Sequence, residues 1–272
     1  MKLQDAFRPV STELKAVERE LVSLAQGLSF SSIKAILERF FTTPGKYLRP
    51  ALLLMSAKAI QEKPEGQTLR NLVLAAAGVE LIHNASLVHD DVIDEDLERR
   101  GQPTVNAGHG NRIAILAGDT LYSKAFSIMI EALPKELLRD IVELNIHMCS
   151  AEVEQEKVKS CAEPITRETF LRINEGKTAA FMSVCCKLGS SLAGGSAAEV
   201  AKLAAFGLDF GMAFQLYDDL SDGDADCVDL DVLSEAKRFA SAALADLQGL
   251  SPRIGVKALA ALLDHLVEKG GN

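Results

Sequence analysis

The chain has 272 residues, 48% of them hydrophobic, and a formal net charge of −9. That length supports one large core or two small ones, and with no composition break between the halves it reads as a single domain over residues 1–272. The acidic balance excludes a general nucleic-acid binder, which shows a basic face. Five cysteines without C-x-x-C spacing (Cys149, Cys161, Cys185, Cys186, Cys227) form neither a disulfide framework nor a zinc site, so a reducing, cytoplasmic setting is expected.

From the N-terminus, Met1 to Asp5 carries no apolar signal core. No uninterrupted apolar run nears the roughly 18 residues of a membrane span, so none is expected. Apolar residues recur at helical spacing, and period-two alternation is hard to find. The pattern predicts an all-α chain of about ten helices, with Pro9, Pro44, Pro64, Pro103, Pro134, Pro164 and Pro252 between periodic segments. Gly45-Lys46-Tyr47-Leu48-Arg49-Pro50 sets Lys46 and Arg49 near a helix start, a position that favours anions. Asn71 to Val88 and Ala179 to Leu192 have little polar surface and should be central in a bundle. Gly194-Gly195-Ser196-Ala197-Ala198-Glu199 reads as a helix stop followed by a capping box.

The first chemical signal is Asp90-Asp91-Val92-Ile93-Asp94, which closes an apolar helical run. On a helix Asp90 and Asp94 share a face one turn apart, and like charges so placed repel unless something positive lies on them. Hard carboxylate oxygens suit Mg2+, which accepts one or two carboxylates plus phosphate oxygens. Asp218-Asp219-Leu220-Ser221-Asp222 repeats the spacing after a second apolar run. Two such sites on buried helices can face each other across a cavity, where divalent cations and a polyanion such as diphosphate relieve their repulsion. Arg99 and Arg100, one turn past Asp94 to Asp96, supply forked donors for phosphate. Their plain structural reading is a helix C-terminus complementing its dipole. His83 lies two turns before Asp90 on the same face; taken alone, a satisfied core histidine explains it.

Taken in order, Gly45-Lys46-x-x-Arg49-Pro50, Leu81-Ile82-His83-x-Ala85-Ser86-Leu87-x-His89-Asp90-Asp91-x-x-Asp94, Arg99-Arg100-Gly101, Gly118-Asp119, Gly176-Lys177-Thr178 and Phe214-Gln215-x-x-Asp218-Asp219 resemble the trans-isoprenyl diphosphate synthases, or polyprenyl synthetases. The resemblance runs from about Gly45 to Asp222. It implies the all-α isoprenoid synthase bundle around a central cavity, and Mg2+ held by Asp90, Asp94, Asp218 and Asp222, with Asp91 and Asp219 as supporting carboxylates. It also implies an allylic diphosphate held by Arg99, Lys177, Thr178 and Gln215, and isopentenyl diphosphate held by Lys46, Arg49, His83 and Arg100. Asp90, Asp94, Asp218 and Lys177 would carry the chemistry. The expected reaction is condensation of isopentenyl diphosphate with an allylic prenyl diphosphate to a longer all-trans product. Small residues at Ala85 and Ser86, one turn before Asp90, would leave the product tunnel open and favour C20 or more. A homodimer is implied, with a heteromer as the alternative.

After Asp222 the pattern departs from that family. Gly223 to Asp231 replaces the usual Gly- and Lys-bearing loop, no lysine occurs between Lys202 and Lys237, and the domain reads as shortened after about residue 222. The acidic run is no calcium loop: counted from Asp222, position 6 is Cys227 rather than Gly and position 12 is Leu233 rather than Glu. Two other functions fit parts of the pattern. A class I terpene cyclase shares the ionisation but needs no second diphosphate site. A non-catalytic, regulatory subunit of a heteromeric synthase would explain the shortened region.

Overall fold

The computed structural model describes residues 3–28, 30–42, 45–160, 165–223 and 228–270. Sequence readings that rest on Met1, Lys2, Pro44, Cys161, Pro164, Asp224, Asp226 or Cys227 lie outside the described residues. Four helices, α1 (Leu3–Ala6), α2 (Ser11–Gln26), α3 (Ser31–Thr42) and α4 (Leu48–Ile60), precede the long α5 (Gly66–Ile93). A four-residue hairpin, β1 (Glu98–Arg99) with β2 (Gln102–Pro103), leads to α6 (Val105–His109), α7 (Asn111–Ala132) and α8 (Lys135–Ser160). Then come α9 (Arg167–Asn174), a π turn at Glu175–Ala179, α10 (Ala180–Leu192), α11 (Ala197–Asp222), α12 (Val232–Asp246) and α13 (Ile254–Gly270). The all-α expectation holds, with the hairpin the one ladder of named strands among the described residues.

The centre is built from helices that are apolar nearly all round. Helix α5 packs chiefly on α7, while α10 joins α4 to α11. Small residues permit these close crossings: a Cβ on Gly189 would run into the Leu53 carbonyl oxygen, and one on Gly207 would meet the Met182 carbonyl at 2.6 Å. Phe181, Phe206, Phe210, Leu52 and Leu81 fill the interior. Helices α5 and α7 are long and apolar enough to cross a membrane by length and composition. For α5 the bundle accounts for that, since 67% of its apolar window is buried, whereas α7 is buried over only 39%.

Local chemistry sets where the site-bearing helices stop. The predicted capping box is present: Ser196 accepts from the Glu199 N–H, and the Glu199 carboxylate accepts from the Ser196 N–H at 2.9 Å. Gly223 ends α11 in the left-handed region (φ 83°), directly after Asp222. Helix α5 ends at Ile93, with Asp94 as its C-cap. Arg99 and Arg100 therefore do not continue that helix, and the plain structural alternative of helix C-terminal charges does not apply to them. Glu95 (φ 56°) and Arg100 (φ 54°) turn the chain through left-handed conformations, and the arginines sit on a hairpin folded back against α5.

Candidate active site

A cavity of about 780 Å³ lies where α4, α5, α7, α8, the π turn and α11 converge. Each element contributes a distinct type of group. The segment before α4 and its first turn supply Lys46, Tyr47 and Arg49; α5 supplies Glu80, His83, Ser86, His89 and Asp90; the hairpin supplies Arg100. Helix α8 adds Met148, Cys149, Glu152 and Val153, the π turn adds Lys177 and Thr178, and α11 adds Phe214, Gln215 and Asp218. Asp90 and Asp218, on different helices, thus line one space, with a basic wall beyond them.

The two aspartate motifs divide their carboxylates alike. The first of each, Asp90 and Asp218, lines the cavity. The second is buried and held: Asp91 accepts from Arg99 Nε at 2.5 Å, and Asp219 accepts from Asn174 Nδ2 at 2.7 Å and Gln215 Nε2 at 2.8 Å. The third lies at the helix end and outside the lining, with Asp94 paired to Lys159 at 3.0 Å and Asp222 exposed. Arg99 likewise lies outside this cavity. It borders a second groove of about 490 Å³ beside α5, lined by Asn84, Leu87, Asp91, Arg100 and Ile113 among others. Leu87 and Arg100 border both spaces.

On the basic wall, Arg49 Nη1 donates to His83 Nε2 at 3.2 Å, and its guanidinium stacks 4.9 Å from the Phe181 ring centroid. Accepting on Nε2 requires neutral His83 with its proton on Nδ1. Burial, then Arg49, Arg100 and Arg99, hold its pKa well below the usual histidine range, in agreement. Arg49 Nε is buried with no hydrogen-bond partner among the described residues, an unused donor beside an open cavity. Lys177 is held by Glu152 at 2.7 Å and Gln155 at 2.9 Å, and Thr178 donates to Gln215 Oε1 at 2.7 Å. The π turn widens the helix at Glu175–Ala179 and so sets Lys177 and Thr178 toward α8 and α11. The reason for Gly118 in Gly118-Asp119 is spatial: a Cβ there would occupy the His89 imidazole, which donates to the Ile115 carbonyl at 3.2 Å.

The donor set suits a hard divalent cation. Burial, then Glu152, raises the Asp90 pKa to about 6, with Asp94 adding to the repulsion, so this carboxylate is under-compensated and a cation would relieve it. Among the described residues no three His, Cys, Asp or Glu groups form a closed metal cage. A Mg2+ ion takes one or two carboxylates and completes its octahedron with water and phosphate, so Asp90 and Asp218 are the residues that would hold one. Ser86 lines the cavity, while Ala85 is wholly buried and does not. Sequence reasoning missed Glu80, a 3%-exposed acid in the cavity wall, and Asn174, which braces Asp219. A lone acid within an otherwise apolar helical run was the available signal for Glu80.

A family model described as polyprenyl synthetase matches residues 31–231. The chain is 32% identical over 263 residues to the short chain isoprenyl diphosphate synthase of Methanothermobacter thermautotrophicus, covering 95% of this chain and 76% of that one. It is 35% identical to heptaprenyl diphosphate synthase component 2 of Geobacillus stearothermophilus, covering 82% and 67%. Across such curated relatives the chain spans between 48% and 76% of their length. A decaprenyl diphosphate synthase from Rhodobacter capsulatus shares the fold, with a TM-score of 0.87 at 23% identity over 98% of this chain and 99% of that one.

Proposed function

Because the chain belongs to the polyprenyl synthetase family, we propose that it is a Mg2+-dependent trans-prenyltransferase condensing isopentenyl diphosphate with an allylic prenyl diphosphate. The observation that carries this reading is the single cavity in which Asp90 and Asp218 oppose a wall of Lys46, Arg49, His83 and Arg100. A site for one diphosphate needs no second cationic wall, and that counts against a terpene cyclase.

In this reading the allylic diphosphate lies between the aspartate helices. Mg2+ held by Asp90 and Asp218, with Asp94 and Asp222 recruited from the helix ends, supplies neutralisation of negative charge on the leaving diphosphate. Lys177 exchanges Glu152 for a phosphate oxygen, Thr178 and Gln215 orient the same group, and Arg99 reaches it only by leaving Asp91. On the other wall Lys46, Arg49 and Arg100 grip isopentenyl diphosphate, and the unpaired Arg49 Nε gains an acceptor. The C3=C4 double bond of isopentenyl diphosphate bonds through C4 to the allylic C1 as the C1–O bond to diphosphate breaks, and a proton passes from C2 to the released diphosphate, restoring an alkene. Leu48, Leu87, Ile93, Met148 and Phe214 keep water from the reacting carbon. The product extends past Ser86, with a length of C20 or more.

The test is incubation with Mg2+, isopentenyl diphosphate and C10, C15 or C20 allylic diphosphates, with mass analysis of products. A longer prenyl diphosphate supports the reading; cyclic hydrocarbon without use of isopentenyl diphosphate supports the cyclase. No turnover until a second subunit is added supports the regulatory or heteromeric alternative, which the likeness to a protein named as a component and the shortened region after Asp222 favour. We further propose a homodimer through α7 and α8, which expose Ile115, Leu116, Ile130, Val142 and Ile146. A cytoplasmic setting is supported by the free thiols of Cys149, Cys185 and Cys186.

A further inference from the structure

Glu80 is out of place in a wall built to hold anions. It is 3% exposed and lines the cavity. It does lie against the cations. A Cβ on Gly45 would stand 3.3 Å from Glu80 Oε1 and 3.1 Å from Arg100 Nη1, so glycine at 45 is what lets acid and guanidinium crowd one backbone position. Arg49, in the first turn of α4, is the other charge acting on it.

We propose that Glu80 is the positioning residue of the basic wall: as a carboxylate it balances Arg49 and Arg100 while the wall is empty, and it takes up a proton when a diphosphate arrives. The inference rests on the site reading above. A buried carboxylate is unfavourable unless cations offset its lost hydration. A bound diphosphate claims those cations and adds its own negative charge, leaving Glu80 uncompensated, so the acid form is favoured. Little is needed to tip it, because burial already holds the Glu80 pKa at about 7 against the opposing pull of Arg49 and Arg100.

The other groups facing this position are Lys46 and Tyr47 before α4, His83 and Asp90 on α5, Arg100 on the hairpin and Cys185 on α10, with Glu18 on α2 acting on Tyr47. Burial pushes the Tyr47 hydroxyl and Cys185 thiol upward, so both stay neutral near pH 7. His83, held well below its ordinary pKa, and Asp90, raised to about 6 chiefly by burial, can also gain a proton, and both are common to the wild type and E80Q.

The test is calorimetric titration of the full chain with inorganic pyrophosphate, in EDTA to exclude metal, at pH 6, 7 and 8 in buffers of differing ionisation enthalpy. The wild type should take up about half a proton more than E80Q at pH 7. Its affinity should fall roughly tenfold from pH 6 to 8 relative to that of E80Q. Protons lost by pyrophosphate itself are common to both proteins and drop out of the difference, and H83Q isolates the histidine share. E80Q should bind more tightly than the wild type at pH 8 and about equally at pH 6, whereas a merely structural glutamate would give weaker binding at every pH. Proton exchange that is the same in E80Q, or a wild-type exchange fully accounted for by H83Q, overturns the proposal; the wild-type and H83Q arms suffice if E80Q does not fold. Pyrophosphate that binds without this linkage leaves the diphosphate site standing. Pyrophosphate that does not bind at all removes both.

Discussion

The two aspartate motifs share a spacing but not a setting. Beyond Asp94, the α5 motif is closed by the hairpin: Asn106 donates to the carbonyls of Asp91 and Asp96, Thr104 donates to that of Asp96, and Arg99 spans Asp91 and Asp96. Beyond Asp222, the α11 motif has the Gly223 cap, and the next described tie is a bridge between Ile165 and Val228. Of the two second aspartates, Asp91 meets a guanidinium, and Asp219 is met by the amides of Asn174 and Gln215. The guanidinium brings a full positive charge to its carboxylate, which those two amides do not.

The largest expected effect tests whether the two walls are equivalent in chemistry. Asp90→Ala and Asp218→Ala should each lower turnover by about 10²-fold or more, as loss of a major electrostatic contact at a developing charge does. Asp94→Ala should match Asp90→Ala if Asp94 gives up Lys159 to a metal ion. A near wild-type rate for Asp94→Ala, with Asp90→Ala inactive, would restrict the ligand set to the carboxylates that already line the cavity. Steady-state rates against Mg2+ concentration separate these outcomes, and circular dichroism should show each variant folded.

Stability distinguishes the anchors. Arg99→Met removes the partner of a 2%-exposed carboxylate and should cost about 3 kcal/mol at pH 7. Asn174→Leu removes one amide donor to Asp219 and should cost about 1–2 kcal/mol. The Arg99→Met deficit should shrink as pH falls, because protonating Asp91 removes the orphaned charge. The Asn174→Leu deficit should change less. Urea unfolding at pH 5 and 8 measures both, and equal pH dependence would show that charge is not what separates the two motifs.

Much of this was legible before any coordinates. The apolar stretches that became α5, α10 and α11 are nearly free of charge, and Ser196 with Glu199 marked a helix start that the structure reproduces. The hairpin was not legible: Glu95 and Arg100 adopt positive φ without being glycine, and only Gly101 (φ 75°) signalled a turn. The π turn is equally silent, since one extra residue in a helix leaves no compositional mark at Gly176-Lys177-Thr178. Residue spacing also could not say which aspartate of each motif meets the cavity. That depends on where α5 and α11 stop and on Arg99, Asn174 and Gln215, which arrive from other segments or from one turn back.

The α5 wall carries a further distinction between neighbours that spacing treats alike. Ser86 faces the cavity and donates to the His83 carbonyl at 2.9 Å, while Ala85 is wholly enclosed. Ser86→Phe should shorten the product while leaving the first condensation intact. Ala85→Phe should instead overpack the core by about 1–3 kcal/mol. Mass analysis of products and thermal melts test the pair. An unchanged product spectrum for Ser86→Phe would mean the growing chain does not pass this face of α5.

The smallest effect concerns what the α5 wall gives up in stability. The Asp90 pKa is raised to about 6, chiefly by burial and then by Glu152, so the fold prefers the neutral acid while the unfolded chain ionises near the ordinary aspartate value. Its contribution is therefore fully present below about pH 4 and is lost as pH rises through 6, because over that window the native state binds the proton more tightly than the unfolded state. Asp90→Asn abolishes the titration. At pH 7 to 8, without metal, it should melt a few degrees above the wild type, about 1 kcal/mol, and at pH 4 the two should coincide. Added Mg2+ with pyrophosphate should raise the wild-type melting temperature and leave Asp90→Asn nearly unmoved, reversing their order. A variant no more stable than the wild type at pH 8 would mean that Lys177 and Arg99 already compensate this carboxylate, and the asymmetry between the walls would then lie in their anchors alone.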